Sequence, residues 1–122
     1  MKIILTGNPI IKKNSRPIYK TKSRPILGKS AKLKEAEKLA YHEALSQKKG
    51  PTIDYPISIM FLFYRNNKRK VDLSNLYEFP QDILEGAGII TNDNLIESHD
   101  GSRKLHDKES PRTEIYIKKY ES

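Results

Sequence analysis

The sequence predicts an α+β fold, a single small domain spanning residues 1–122 in which a mixed sheet of about four strands packs against two main helices. Length is the first observation behind this, because 122 residues fall within the roughly 100–200 expected of one domain. The second is that β-branched and aromatic runs of strand length stand apart from two longer stretches with helical periodicity. The third is their count, about four strands and two helices, which reads as an α+β domain.

Taken along the chain, "KIILTG" (2–7) reads as a short strand closed by Gly7 and Pro9. Residues 8–29 hold three prolines and many bases, and read as one long functional loop. Ser30 is placed to cap a helix that runs to about Gln47, with Leu33, Ala36, Ala40 and Ala44 on one face and "KKGP" as its stop. "YPISIMFLFYR" (55–65) is apolar on both faces and reads as a central strand. "RNNKRK" (65–70) is a basic turn after it. A second helical face follows in Leu76, Phe79, Ile83 and Ala87. Pro80 lies inside it, which predicts a kink or a late helix start, and the helix should end at Gly86 or Gly88. "TEIYIKKY" (113–120) is the last strand, and residues 94–105 are expected to pair with it.

Composition narrows the function classes. With no cysteine there is no disulfide framework, thiolate metal site or cysteine nucleophile. "IILTG" is too short for a signal-peptide core, and no stretch approaches the roughly 18 apolar residues of a membrane helix. A soluble cytoplasmic protein without a membrane role is the resulting expectation. Charge is segregated: residues 1–38 carry eleven Lys and Arg against Glu35 and Glu37, so this segment alone exceeds the chain's net +8. Lysines and arginines spread through Pro- and Gly-punctuated sequence suit phosphate contacts, which dominate nucleic-acid affinity, although a solvated basic arm has the same composition.

The opposite charge is concentrated downstream. Residues 72–100 hold seven acids and no Lys or Arg. Asn75, Glu78 and Asp82 share one helical face, Asp72 precedes the helix, and Asp93 lies in the "NDN" turn beyond it. Acids at loop ends flanking one helix can converge in space. Converging hard oxygens are what Mg²⁺ takes, usually one or two carboxylates with water and substrate phosphate completing the shell. Plainer readings exist for each residue: Asp72 as a helix cap, Asp82 and Glu85 as a wetted helix face, Asp93 as a turn residue, Lys104 as a strand-edge charge. His99 and His106 read as surface or turn residues, because their spacing is not that of a metal site.

The order of these elements resembles the signature of RusA-type Holliday junction resolvases (crossover junction endodeoxyribonucleases). In that family an Asp-x-Asp-Asn element opens a helix, a further Asp follows, a Gly-containing turn leads to Asp-Asp, and a basic residue comes later. Here the matching residues are Asp72-Leu73-Ser74-Asn75, Asp82, Gly86-Ala87-Gly88, Asn92-Asp93, and Arg103 with Lys104. "GNPIIKKNSRP" is likewise similar to the family's opening strand and basic loop.

The resemblance implies a RusA-like fold and a Mg²⁺-dependent endonuclease, with Mn²⁺ as an alternative ion, that cuts four-way DNA junctions symmetrically as a homodimer in bacteria or prophages. It implies Asp72 and Asp93 as metal ligands, with Asp82 and Ser74 adding support, and Lys104 or Arg103 facing the transition state. Asn75 and Glu78 would orient the ligands. DNA contacts fall to Lys12, Lys13, Arg16, Lys68, Arg69, Lys70 and Arg103. Three departures stand against the pattern: Ser74 and Asn92 replace acids, and Glu78 stands where the family often has Lys. Glu78, Glu97 or Asp100 would have to compensate for the lost charge. The competing reading is a non-catalytic or weakly catalytic protein that binds branched DNA or structured RNA around a degenerate metal site.

Overall fold

The computed structural model describes residues 1–12, 18–20, 25–27 and 30–121. Its centre is the nine-residue strand Ile57–Arg65, in which Ile57, Ile59, Phe61 and Phe63 are buried on one face. In chain order the strands are β1 (Lys2–Thr6), β2 (Ile18–Lys20), β3 (Pro25–Leu27), β4 (Ile57–Arg65), β5 (Ile96–Ser98), β6 (Arg103–His106) and β7 (Arg112–Lys119). The helices are α1 (Ala31–Gln47) and α2 (Glu78–Gly86), with 3₁₀ turns at Leu73–Leu76 and Asp93–Leu95. The α+β class and the two helices are as the sequence predicts. The main sheet has five strands rather than four.

β7 lies between β1 and β4 and is antiparallel to both. The opposite edge of β4 is shared by β5, along Ile57 and Ser58, and β6, along Leu62 to Arg65, both parallel to it. This corrects the expected pairing of 94–105 with the last strand. The flanks of β7 are already taken by β1 and β4, so the downstream strands add to the free edge of β4. Between β5 and β6 the chain turns through Gly101, whose φ of +87° is left-handed and where a Cβ would meet Met60 Sδ at 2.8 Å. The break would leave the Phe61 amide without a strand partner. The Ser102 hydroxyl accepts from it at 2.9 Å.

The stretch 8–29 is not loop throughout, because Ile18–Lys20 and Pro25–Leu27 form an antiparallel two-stranded ladder. α1 begins as its sequence predicts: the Ser30 hydroxyl accepts from the Leu33 amide at 3.0 Å, the usual use of serine at a cap. Pro80 sets the start of α2. It lies in the first turn, where its missing N–H would have had no intrahelical partner. The preceding residues form a 3₁₀ turn instead, so the start is late rather than kinked. α2 closes with Gly88 at φ +72° donating to the Glu85 carbonyl at 3.1 Å.

Both helices pack on the same face of the sheet, where Leu33, Ala40 and Ala44 of α1 and Phe79, Ile83 and Leu84 of α2 join Ile3, Leu5, Ile115 and Ile117 in one core. On the other face, the Arg112 guanidinium lies 3.8 Å over the Tyr64 ring and donates to Glu114 at 2.7 Å and Asp107 at 2.9 Å. Tyr116, ahead of Arg112, holds the Glu114 carboxyl below its ordinary range. Arg112 does the same for Asp107.

The free edge of β1 is covered by side chains of α1. The Gln47 amide donates to the Ile4 carbonyl and accepts from the Ile4 amide, both at 2.8 Å. Glu43 accepts from the Thr6 amide at 3.1 Å and its hydroxyl at 2.8 Å. An edge strand otherwise presents unpaired donors and acceptors to other chains. Gln47→Ala is therefore expected to cost about 1–3 kcal/mol, the range for leaving a partly buried polar group unsatisfied. The urea midpoint should fall at unchanged slope; an unaltered midpoint would show that water replaces the amide without loss.

Candidate active site

The chain between β4 and β5 must cross over, since parallel neighbours cannot be joined by a tight turn. All the acids of interest up to Asp93 lie on this crossover. It opens with the basic turn, whose form is set from inside by Arg65. That side chain is buried, donating to the Arg69 carbonyl at 2.7 Å and to Asn67 Oδ1 at 3.3 Å. Asn67 also accepts from the Arg69 amide at 3.0 Å, and Asn8 accepts from the Asn66 amide at 2.9 Å. Arg65 is thereby spent on structure, and Lys68, Arg69 and Lys70 stand exposed. A cleft of about 810 Å³ opens beside this turn, with Lys32 and Arg69 in its walls.

Asp72 stands just before the first 3₁₀ turn. It occupies the cap position, yet its carboxylate makes no capping hydrogen bond. At the second turn the cap is Asn92, whose Oδ1 accepts from the Asn94 amide at 2.8 Å. Asp93 follows it, exposed. The plain reading of Asp72 as a cap is thus not how its carboxylate is used, whereas Asp93 does lie in a turn, as its plain reading has it, with the capping left to Asn92. Ser74 and Glu78 are exposed and Asn75 half-buried on the same segment.

β6 brings the basic residues alongside. Its register sets Arg103 opposite Leu62 and Lys104 opposite Phe63. Successive residues of a strand face opposite sides, so Lys104 lies on the helix side and Arg103 on the other. The Lys104 ammonium donates to the Val71 carbonyl at 2.7 Å. Its positive charge is therefore held at the peptide that leads into Asp72.

Two further residues are arranged otherwise than their sequence suggests. Lys12, expected at the DNA, is only 5% exposed, and its ammonium is 2.5 Å from Asp82 Oδ2 on α2. Each residue was a separate candidate in the sequence, and the fold joins them into one ion pair. Lys13 and Arg16 lie outside the described residues. Among the described residues, no three His, Cys, Asp or Glu side chains come together as a group able to hold one metal ion.

His99 opens the turn 99–102, as one of its plain readings has it, but it is half-buried and its ring is engaged. Its ring stacks on Tyr77 with centroids 4.3 Å apart and planes 6° from parallel, and its Nε2 lies 2.7 Å from Gln81 Oε1. Tyr77 in turn packs on Phe61 and Phe63. This stack ties the end of β5 to α2, and the sequence signal for it was the spacing of Tyr77 and Gln81 one helical turn apart. Burial lowers the His99 pKa from its ordinary value near 6.5. The folded state then binds fewer protons than the unfolded state between the lowered value and about 6.5, so stability rises with pH across that window. It is fully present above about 6.5 and lost as pH falls below. The thermal midpoint of wild type is expected to drop between pH 7.5 and 5.5 by more than that of His99→Gln; equal drops would remove His99 as the cause.

The family model described as Endodeoxyribonuclease RusA matches residues 6–118. A crossover junction endodeoxyribonuclease RusA of Aquifex aeolicus (strain VF5) is 43% identical over 60 residues, covering 49% of this chain and 48% of that protein. The matched segment spans about half the length of that curated relative. With the family model matching nearly the whole length from β1 to β7, the chain belongs to the RusA endodeoxyribonuclease family.

Proposed function

We propose that this chain is a Mg²⁺-dependent endodeoxyribonuclease that resolves four-way DNA junctions by paired symmetric nicks. The observation that carries the reading is the pair of carboxylates, Asp72 and Asp93, each at the start of a 3₁₀ turn on the crossover and neither used for capping. Beside Asp72 are a cation held at its peptide and an exposed basic turn. Hard carboxylate oxygens suit Mg²⁺, which needs only one or two of them when water and phosphate supply the remainder.

Asp72 and Asp93 would hold the ion, with the Ser74 hydroxyl as a neutral donor and Asn75 and Glu78 flanking them. When bound, Mg²⁺ polarises the scissile phosphate and activates water. Lys104 sets positive charge where negative charge develops on the phosphate. Lys68, Arg69 and Lys70, with Lys13 and Arg16 and with Arg103 on the other face, hold the sugar–phosphate backbone. Asp82 acts through Lys12: their ion pair fixes the start of the basic segment against α2. A two-fold junction cut twice calls for a C2 homodimer, working in a bacterial or phage-infected cytoplasm.

One observation favours the competing reading of a weakly catalytic or inert branched-DNA binder. Ser74 and Asn92 are neutral where the family pattern is acidic, which lowers the negative charge available to a cation. Cleavage of a synthetic junction in Mg²⁺, Mn²⁺ or EDTA separates the two, since the binder retains affinity and cuts nothing in any of them.

For the enzyme, Asp72→Asn and Asp93→Asn are expected to reduce cutting to the EDTA level, with junction affinity equal or higher because a charge repelling phosphate is gone. Wild-type rates in either variant would remove that residue from the site. Asp82→Asn is expected to raise KM and leave kcat close to wild type. Ser74→Asp should lower the Mg²⁺ concentration needed for half-maximal rate; an unchanged titration would mean that Ser74 does not face the ion.

A further inference from the structure

The far end of the sheet carries a second basic surface that the proposed site does not use. Ile57, where β4 begins, pairs with Lys119, where β7 ends, so residues 49–55 and 118–120 share one end of the sheet. The basic turn 66–70 follows β4 at the other end. Eight steps along β4 at about 3.4 Å each separate the two by roughly 27 Å.

At this end Lys49, Lys118 and Lys119 surround a cleft of about 330 Å³, with Asp54 and Tyr55 also in its wall. All three lysines are exposed, and among the described residues none forms an ion pair. They therefore do not hold the fold together. Tyr55 and Tyr120 are 41% and 36% exposed, among the most exposed large side chains, and the Lys119 ammonium sits 5.6 Å from the Tyr55 ring centre. Unpaired lysines interleaved with exposed aromatic rings are the composition of a surface that takes phosphates and the unstacked bases near them.

The separation indicates what such a surface would meet. A span of roughly 27 Å is about twice the ~12 Å major groove, so the two basic ends cannot grip one groove between them. We infer that the Lys49–Lys118–Lys119 surface holds the backbone of a second duplex arm of a branched DNA while the basic turn holds the first. This rests on the proposed reading that branched DNA is the substrate, and it explains selectivity for a junction over a duplex. Linear DNA would engage one end of the sheet at a time, and a junction both.

The test is the triple variant Lys49→Ala, Lys118→Ala, Lys119→Ala, checked for an unchanged urea midpoint. Binding is followed by fluorescence anisotropy, across a salt series, to a synthetic four-way junction and to a linear duplex with the sequence of one arm. On the junction, the slope of log K against log salt should flatten by roughly 2.7, from about 0.9 for each phosphate that a lysine no longer neutralises. On the linear duplex it should change by less than the ~0.9 of a single phosphate. A junction slope equal to wild type would overturn the second surface. Equal flattening on both DNAs would overturn the second arm, because one duplex would then be lying across both ends. If the wild-type chain bound neither DNA, the proposed function itself would fall, and that outcome is distinct from either of the others.

Discussion

The parallel pairing of β5 and β6 with β4 is the constraint on which the remaining architecture depends. A parallel neighbour cannot follow through a hairpin, so thirty residues, 66–95, must leave the end of β4 and return to its beginning. That excursion contains the basic turn, both 3₁₀ turns and α2. The Phe61–Tyr77–His99 cluster fixes it to the sheet at mid-length, and the Ile53 backbone fixes its end, donating to Ile89 at 2.9 Å and accepting from Thr91 at 3.0 Å. The candidate acids are thus positioned by the sheet, not by contacts among themselves. Acidic residues gathered on one segment gain from this, since their mutual repulsion is offset by packing elsewhere.

Charge segregation in the sequence acquires a physical meaning in this frame. The acidic run would be self-repelling if it were a bare loop. In the fold it is interrupted by buried Leu76, Phe79, Ile83 and Leu84, and individual cations are brought to it from outside the run. Lys12 meets Asp82 from the N-terminal segment, and Lys104 meets the Val71 carbonyl from β6. The Lys12 pair is nearly excluded from water on its lysine side, so removing either partner leaves an uncompensated charge, and neither can be replaced alone without loss. Asp72 and Asp93 receive no such cation among the described residues, which distinguishes them from Asp82.

Much of this was legible in the sequence because local signals and tertiary packing agreed. Ser30, the alanine-rich face of α1 and the apolar run of β4 each had one physical reading and formed as read, while Pro80 had two, a kink or a late start, of which the late start formed. The pairing of 94–105 was not legible. A three- or four-residue strand has no preference for one neighbour over another until the free edge it can reach is known. Lys12 was misplaced for a related reason. A lysine among lysines reads as solvated, and nothing local marks the one whose stem is covered and whose ammonium meets a carboxylate seventy residues away. His99 likewise carried no spacing signal of its own, because its partners Tyr77 and Gln81 lie on another element.

The departures from the family pattern can be weighed with the same geometry. Asn92 caps its turn through Oδ1, and an aspartate there would make the same bond with a carboxylate oxygen. The substitution therefore preserves the backbone that presents Asp93 and removes one negative charge close to it. Ser74 differs, since it lies within the first 3₁₀ turn, where its carbonyl accepts from the Tyr77 amide at 3.3 Å while its side chain is exposed. No hydrogen bond among the described residues depends on the Ser74 hydroxyl, so its lower charge relative to the pattern is not offset by a structural gain. The fold is thus kept at both positions while the electrostatic attraction for a cation is reduced at both. On the proposed reading this separates two properties that are usually found together, a scaffold of undiminished stability and a metal affinity lowered by charge alone, and an affinity lowered in that way is recoverable by restoring a single carboxylate.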